Sequence, residues 1–145
     1  METTKQSNPK DVVGAHKVPP HVVPCGVLLE IALGMLEGSC KYGAHNYRAV
    51  GVRASIYYDA TMRHLMAWWE GEDNDPDSGL SHIIKAITTL VVLRDSMHAD
   101  NWVDDRPPRL PGGADIAGSN AAAKSIIRQY PNSVPPYTEI KNVTH

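Results

Sequence analysis

The stretch Met62–Lys85, MRHLMAWWEGEDNDPDSGLSHIIK, decides the fold. An apolar run, Leu65 to Trp69, breaks off into Glu70, Glu72, Asp73, Asp75 and Asp77, and apolar residues resume at Leu80. That pattern reads as a helix, an acidic turn and a second helix. Five carboxylates within eight residues repel one another unless cations stand near or the turn is fully solvated. The plainer account is a solvated turn. The sharper one is a hard divalent ion, Mg2+ or Mn2+, which takes a few carboxylates and leaves its other positions to water and phosphate oxygens.

Working outward, the helix before the turn is expected over about Arg53 to Gly71. It places Asp59, Arg63 and Glu70 near one line, with Tyr57, His64 and Trp68 opposite. Asp59 and Arg63 stand at i and i+4, the spacing of an intrahelical ion pair. The helix after the turn is expected from Pro76 to Met97, with Asp75 as its N-cap and Pro76 in the first helical position. Ile83, Ile84, Ile87, Leu90 and Val91 give it a broad apolar surface. His82 lies on another line, one to two turns beyond the acidic loop, within reach of a carboxylate or a ligand.

A further helix is expected from Cys25 to Gly38, with Pro24 at its start and Gly38 as its C-terminal cap. At about 100° per residue, Glu30 and Glu37 fall on one stripe of an otherwise apolar surface. An exposed acidic edge explains them; so does a cation. They lie roughly 10 Å apart at about 1.5 Å per residue, so at most one is a direct ligand of any single ion. The connecting segment Lys41–Arg53, KYGAHNYRAVGVR, carries Lys41, His45, Asn46, Arg48 and Arg53, donors suited to an anionic ligand.

The 145 residues make one helical domain over 24–105, preceded by a polar, proline-punctuated arm over 1–23. A Pro-rich tail over 106–145, with a short helix expected at Ser119–Gln129, packs along the domain or a neighbouring subunit. A net charge of −2 provides no basic field for a nucleic-acid backbone. No apolar run is long enough to cross a bilayer, and METTKQSNPK has none of the features of a signal peptide, so the cytoplasm is the expected compartment. Cys25 and Cys40 match no zinc spacing and read as buried thiols. Phe is absent, leaving Trp, Tyr, Leu, Ile, Val and Met to fill the core. The apolar surplus of the helices predicts a homo-oligomer, a dimer or tetramer.

KYGAHNYR followed by RHLMAWWEGEDNDPDSGLSHIIKA resembles the phage dATP/dGTP diphosphohydrolase family, itself similar to the all-α MazG-type nucleoside triphosphate pyrophosphohydrolases. The resemblance covers about Pro24 to Met97 and reaches the branch found in phages that replace adenine with 2-aminoadenine. It implies an all-α MazG-like bundle in the host cell cytoplasm that uses Mg2+ or Mn2+ to cleave a purine nucleoside triphosphate, dGTP or GTP, to the monophosphate and pyrophosphate. Residue by residue, it implies metal ligands among Glu30, Glu37, Glu72, Asp75 and Asp77, and catalytic roles for Glu30, Glu72 and Asp75. Substrate contacts fall to Lys41, Asn46, Arg53, Arg63, His82 and Lys85. The family's first acidic pair is not matched, because Leu33 follows Glu30 at the expected spacing; Glu37 is the nearest substitute. Lys85 stands where relatives carry a second histidine. A helical module that binds nucleotide without cleaving it is the alternative. Asp59 is an acceptor that a guanine edge can use if Arg63 does not occupy it.

Overall fold

A computed structural model of the chain describes residues 8–139. These form two compact units that divide after Arg106. The first is built on three long helices: α2 (Cys25–Tyr42), α4 (Ala54–Trp69) and α5 (His82–His98). They are preceded by the short α1 (Pro9–Gly14), and α3 (Asn46–Val50) lies between α2 and α4. Both α4 and α2 pack on α5. Two-residue strands, β1 (Val52–Arg53) and β2 (Trp102–Val103), pair in parallel, Val52 opposite Trp102. Since β1 leads into α4 and β2 leaves α5, the start of α4 and the end of α5 are tied together, and the two helices run as an antiparallel hairpin. Among the described residues the fold is all-α apart from this ladder and an isolated bridge between Asn74 and Ser81.

Where α2 meets α5, the contact is backbone-close. A Cβ built on Gly34 falls 2.6 Å from Thr88 Cγ2, so only glycine permits this approach. The hairpin's far end is clamped by Asp105, whose carboxylate accepts from Ser55 N at 2.8 Å and from Ser55 Oγ, and so satisfies the first turn of α4. Arg48 of α3 forks onto Asp95 of α5 at 2.7 and 2.9 Å.

Several expectations need correction. The third helix does not begin at Pro76: α5 starts at His82, with Ser81 as N-cap accepting from Ile83 N. Asp75 caps no helix. Its carboxylate turns inward on the loop, accepting from Ser78 N at 3.2 Å and Ser78 Oγ at 2.8 Å, and this local Asx turn competes with helical winding. Gly79, at φ +75, completes the turn. Nor does α2 stop at Gly38; it runs one turn further, and Gly43, at φ +87, serves as the C-cap. A glycine ends a helix only where the backbone turns left-handed, and Gly38 stays helical. The added turn puts Lys41 on α2, at i+4 from Glu37. The arm carries a short helix capped by Asn8 and a 3-10 turn at Pro20–Val22; residues before Asn8 lie outside the described ones.

Large side chains do not fill the core as anticipated. Among the described residues the buried apolar ones are Val52, Ala54, Ile84 and Ala86, while Trp69 is 79% exposed and Trp68 is exposed beside it. Cys25 and Cys40 are exposed free thiols, against the expectation of burial. Asp59 and Arg63 make no ion pair with each other: both side chains extend into solvent, where such pairs gain little. In the second unit, α6 (Ile116–Gln129) begins earlier than Ser119 because Asp115 caps it through Gly118 N. None of its residues is buried. Among the described residues no helix is long and apolar enough to cross a membrane.

Candidate functional site

A cavity of about 380 Å³ opens between the C-terminal half of α2, the loop into α3 and the middle of α5. Its wall includes Glu37, Lys41, Tyr42, Asn46, Tyr57 and Lys85. This size suits a small-molecule ligand. Glu37 is the hub. Lys85, whose side chain is only 17% exposed, donates to Glu37 Oε2 at 2.6 Å, and the Lys41 ammonium lies 2.5 Å from Glu37 Oε1. Lys41 in turn reaches Asp77 Oδ2 of the acidic loop at 2.9 Å. The four groups form one chain, Lys85–Glu37–Lys41–Asp77, linking α5, α2 and the loop. The bonds from Lys41 and then Lys85 hold the Glu37 carboxyl below its usual pKa against the opposing effect of burial. The Lys41 ammonium is pushed up by Glu37 and then Asp77, so it stays charged.

Glu37 Oε1 is shielded from solvent yet has no well-directed hydrogen bond; the Lys41 ammonium is close to it but poorly aligned. This carboxylate oxygen is met by a cation, the Lys41 ammonium, at close range. Among the described residues, no three His, Cys, Asp or Glu side chains converge as a metal cage. Glu37 and Asp77, however, flank a single cationic position that the Lys41 ammonium fills. Two carboxylates with water and phosphate oxygens are what Mg2+ commonly takes, so this pair fits such an ion if the ammonium yields.

Beyond Asp77 the loop holds a second constellation. His82 is buried (4% exposed), and its Nε2 lies 2.7 Å from Glu72 Oε1. Its Nδ1 lies 2.9 Å from Nδ1 of His64 on α4. The loop orients His82 through its backbone, since His82 N donates to the carbonyl of Asp73 at 2.9 Å. Burial lowers the pKa of His64. At Asp75, burial raises the pKa, but the bonds from Ser78 and Asp77 outweigh it and leave the value lowered.

The sequence-derived candidates thus separate. Glu37, Lys41, Lys85 and Asn46 share the cavity wall, and Asp77 joins them through Lys41. Glu72 and His82 meet on the loop, and Asp75 braces that loop. Glu30 is exposed on α2 and forms no ion pair among the described residues. Arg53 lies 3.8 Å from Asp105, away from the cavity, and Arg63 is exposed. Asp59 is not on the cavity wall, so its proposed contact with a guanine edge has no support in the geometry. The partnership of His64 with His82 is not legible in the sequence, because eighteen residues and a loop separate the two rings. The signal available was that His64 and His82 flank the acidic turn on both sides.

A family model described as "dATP/dGTP diphosphohydrolase, N-terminal" matches residues 7–106. No curated protein and no solved structure gave a match.

Proposed function

Since the chain belongs to the dATP/dGTP diphosphohydrolase family, and is thereby a nucleoside triphosphate pyrophosphohydrolase, we propose that it binds a purine nucleoside triphosphate, dGTP or GTP, in the α2–α5 cavity and splits it between the α and β phosphates with the help of Mg2+ or Mn2+. The observation that carries this reading is the Lys85–Glu37–Lys41–Asp77 chain on the cavity wall. Two ammonium groups offer donors to phosphate oxygens, yet two carboxylates cancel their charge. A triphosphate entering a neutral site brings its own uncompensated charge, and that favours a divalent ion entering with it.

Glu37 and Asp77 would hold that ion; when bound, it neutralises the phosphates and polarises a phosphoryl oxygen. Lys85 and Lys41 would supply ammonium donors to the phosphate oxygens. Glu72, on the same loop as Asp77, accepts a proton from the water whose oxygen attacks the α phosphorus. The bond from the α phosphorus to the bridging oxygen breaks, and pyrophosphate leaves with that oxygen. Asn46 and Tyr57 border the space left for base and sugar. Glu30, two turns from Glu37, stays outside this set within one chain.

In this reading the enzyme is a dimer or tetramer. The buried apolar set is small, while Leu28, Leu29, Leu33 and Leu36 on α2 and Met66 and Trp69 on α4 are exposed, more apolar surface than a small monomer ordinarily presents. Light scattering giving the monomer mass at micromolar concentration would contradict it. The resemblance to phage enzymes supports a reaction in host cytoplasm that supplies deoxyguanosine monophosphate for 2-aminoadenine DNA.

The test is to incubate the protein with dGTP, GTP, dATP and dCTP, each with Mg2+ or Mn2+, and to separate the products. Monophosphate and pyrophosphate, lost on chelation by EDTA, are expected, with the highest kcat/KM for dGTP. Release of orthophosphate ends the proposal, whereas equal turnover of dATP ends only the guanine preference. Neutralisation of Glu37 by two lysines also suits a module that binds nucleotide without turnover. That reading requires thermal stabilisation by dGTP with no product formed.

A further inference from the structure

We propose that His64 and His82 are positioning residues that lock Glu72 in one orientation, His64 acting by fixing the tautomer of His82. The inference deepens the proposed function, because it rests on Glu72 as the carboxylate that takes the proton from water.

The argument is a count of protons. Each ring nitrogen either carries a hydrogen or presents a lone pair. The contact of 2.9 Å between the Nδ1 atoms of His64 and His82 holds one hydrogen, since two would clash and none would set lone pair against lone pair. The contact of 2.7 Å between His82 Nε2 and Glu72 Oε1 also holds one. With Glu72 ionised, that hydrogen sits on His82 Nε2. In the proposed arrangement His82 is neutral, its Nδ1 is bare, and the hydrogen between the rings comes from His64 Nδ1. The burial that lowers the pKa of His64 favours its neutral form, in which Nδ1–H is available and Nε2 is bare.

The arrangement runs in one direction: His64 Nδ1–H to His82 Nδ1, and His82 Nε2–H to Glu72 Oε1. Two anchors hold the His82 ring in place. Its backbone N–H is bonded to Asp73 O, and the preceding Ser81 caps α5. One carboxylate oxygen of Glu72 is thereby occupied, and Oε2 is left to face water. Remove His64, and His82 can take the tautomer with hydrogen on Nδ1; its Nε2 lone pair then repels Glu72, which swings away. Partners of this kind, one bond removed from a working group, typically change activity about 10- to 100-fold.

Two measurements test the assignment. The imidazole ¹⁵N spectrum of the wild-type protein at neutral pH should show His82 protonated on Nε2 and His64 on Nδ1. In dGTP turnover, His64→Leu and His82→Leu should each lower kcat about tenfold or more with KM nearly unchanged. The double variant should be little worse than either single one, since both break one chain. His82→Gln, which keeps an N–H donor near Glu72, should recover part of the rate. Melting curves confirm that each variant is folded, and the wild-type spectrum is independent of any variant. His82 protonated on Nδ1, losses that multiply in the double variant, or losses confined to KM would overturn the assignment while leaving hydrolysis intact. A wild-type protein that turns over no nucleotide overturns the hydrolase reading, and the assignment falls with it.

Discussion

The two polar constellations of the first unit use the same acidic loop in opposite ways. Around Glu37 the contacts are ionic, between lysines and carboxylates, and Asp77 at the outer end is 77% exposed. Around His82 they are directional bonds between two rings and one carboxylate, and the centre is buried. Ionic contacts tolerate exchange of partners, because an ammonium, a metal ion and a phosphate-bound cation satisfy a carboxylate in similar ways. A ring-to-ring hydrogen bond does not tolerate exchange; it is made with one tautomer or lost. In the proposed function a ligand rearranges the first constellation, and the second stays as it is.

Removing the cationic groups strains that contrast most. Lys85→Ala should lower kcat/KM for dGTP by about 100-fold, because it deletes a phosphate donor and leaves Glu37 short of a partner. Lys41→Ala should cost less, about tenfold, since the Lys41 side chain is half in water and Glu37 keeps Lys85. Equal losses would show that the two lysines act as one unit.

Next comes the packing that holds the ionic constellation together. Gly34→Val forces a side chain into Thr88 and should destabilise the fold by about 1–3 kcal/mol, read as a lower Tm. The double variant Gly34→Val with Thr88→Ala should recover part of it. No recovery would place the strain elsewhere on α2.

The constellations should also fail in different pH windows. His64 is held below its ordinary value of 6.5, so the unfolded chain binds the extra proton first, and stability falls as pH drops below about 6.5. Glu37 is held below 4.5, so its contribution is present above that pH and is lost as pH falls through the lowered folded value. His64→Gln should flatten the first decline in Tm and leave the second, and Glu37→Gln should do the reverse. One shared transition in both variants would mean that the two regions melt together.

The smallest effect belongs to the rim. Asp77→Asn should leave Tm unchanged within error, as exposed ion pairs add little and salt screens them. It should raise the Mg2+ concentration needed for half-maximal rate. A Tm loss would show the Lys41–Asp77 contact to be structural, which would remove the exchangeable character assigned to that end.

The sequence alone determined the helical class, because apolar periodicity over about a dozen residues needs no partner to be read. It also determined the family, because the RH, WW, GED, DP and SGLSH groups in order are a linear signal, and with the family came hydrolysis of nucleoside triphosphates. Glu37 stood out on its stripe for the same reason. Local competition defeated the rest of the linear reading: Asp75 and Pro76 suit a helix start, but Ser78 offered the Asp75 carboxylate shorter-range bonds, and α5 waited for Ser81. Tertiary structure alone decided that Asp77 meets a lysine and Glu72 a histidine. It brought Lys85 to Glu37 across forty-eight residues and His64 to His82 across eighteen. Periodicity assigns a residue to a face of its own helix, whereas the neighbour on that face is set by how closely two helices approach, and here that distance follows from a missing side chain at Gly34.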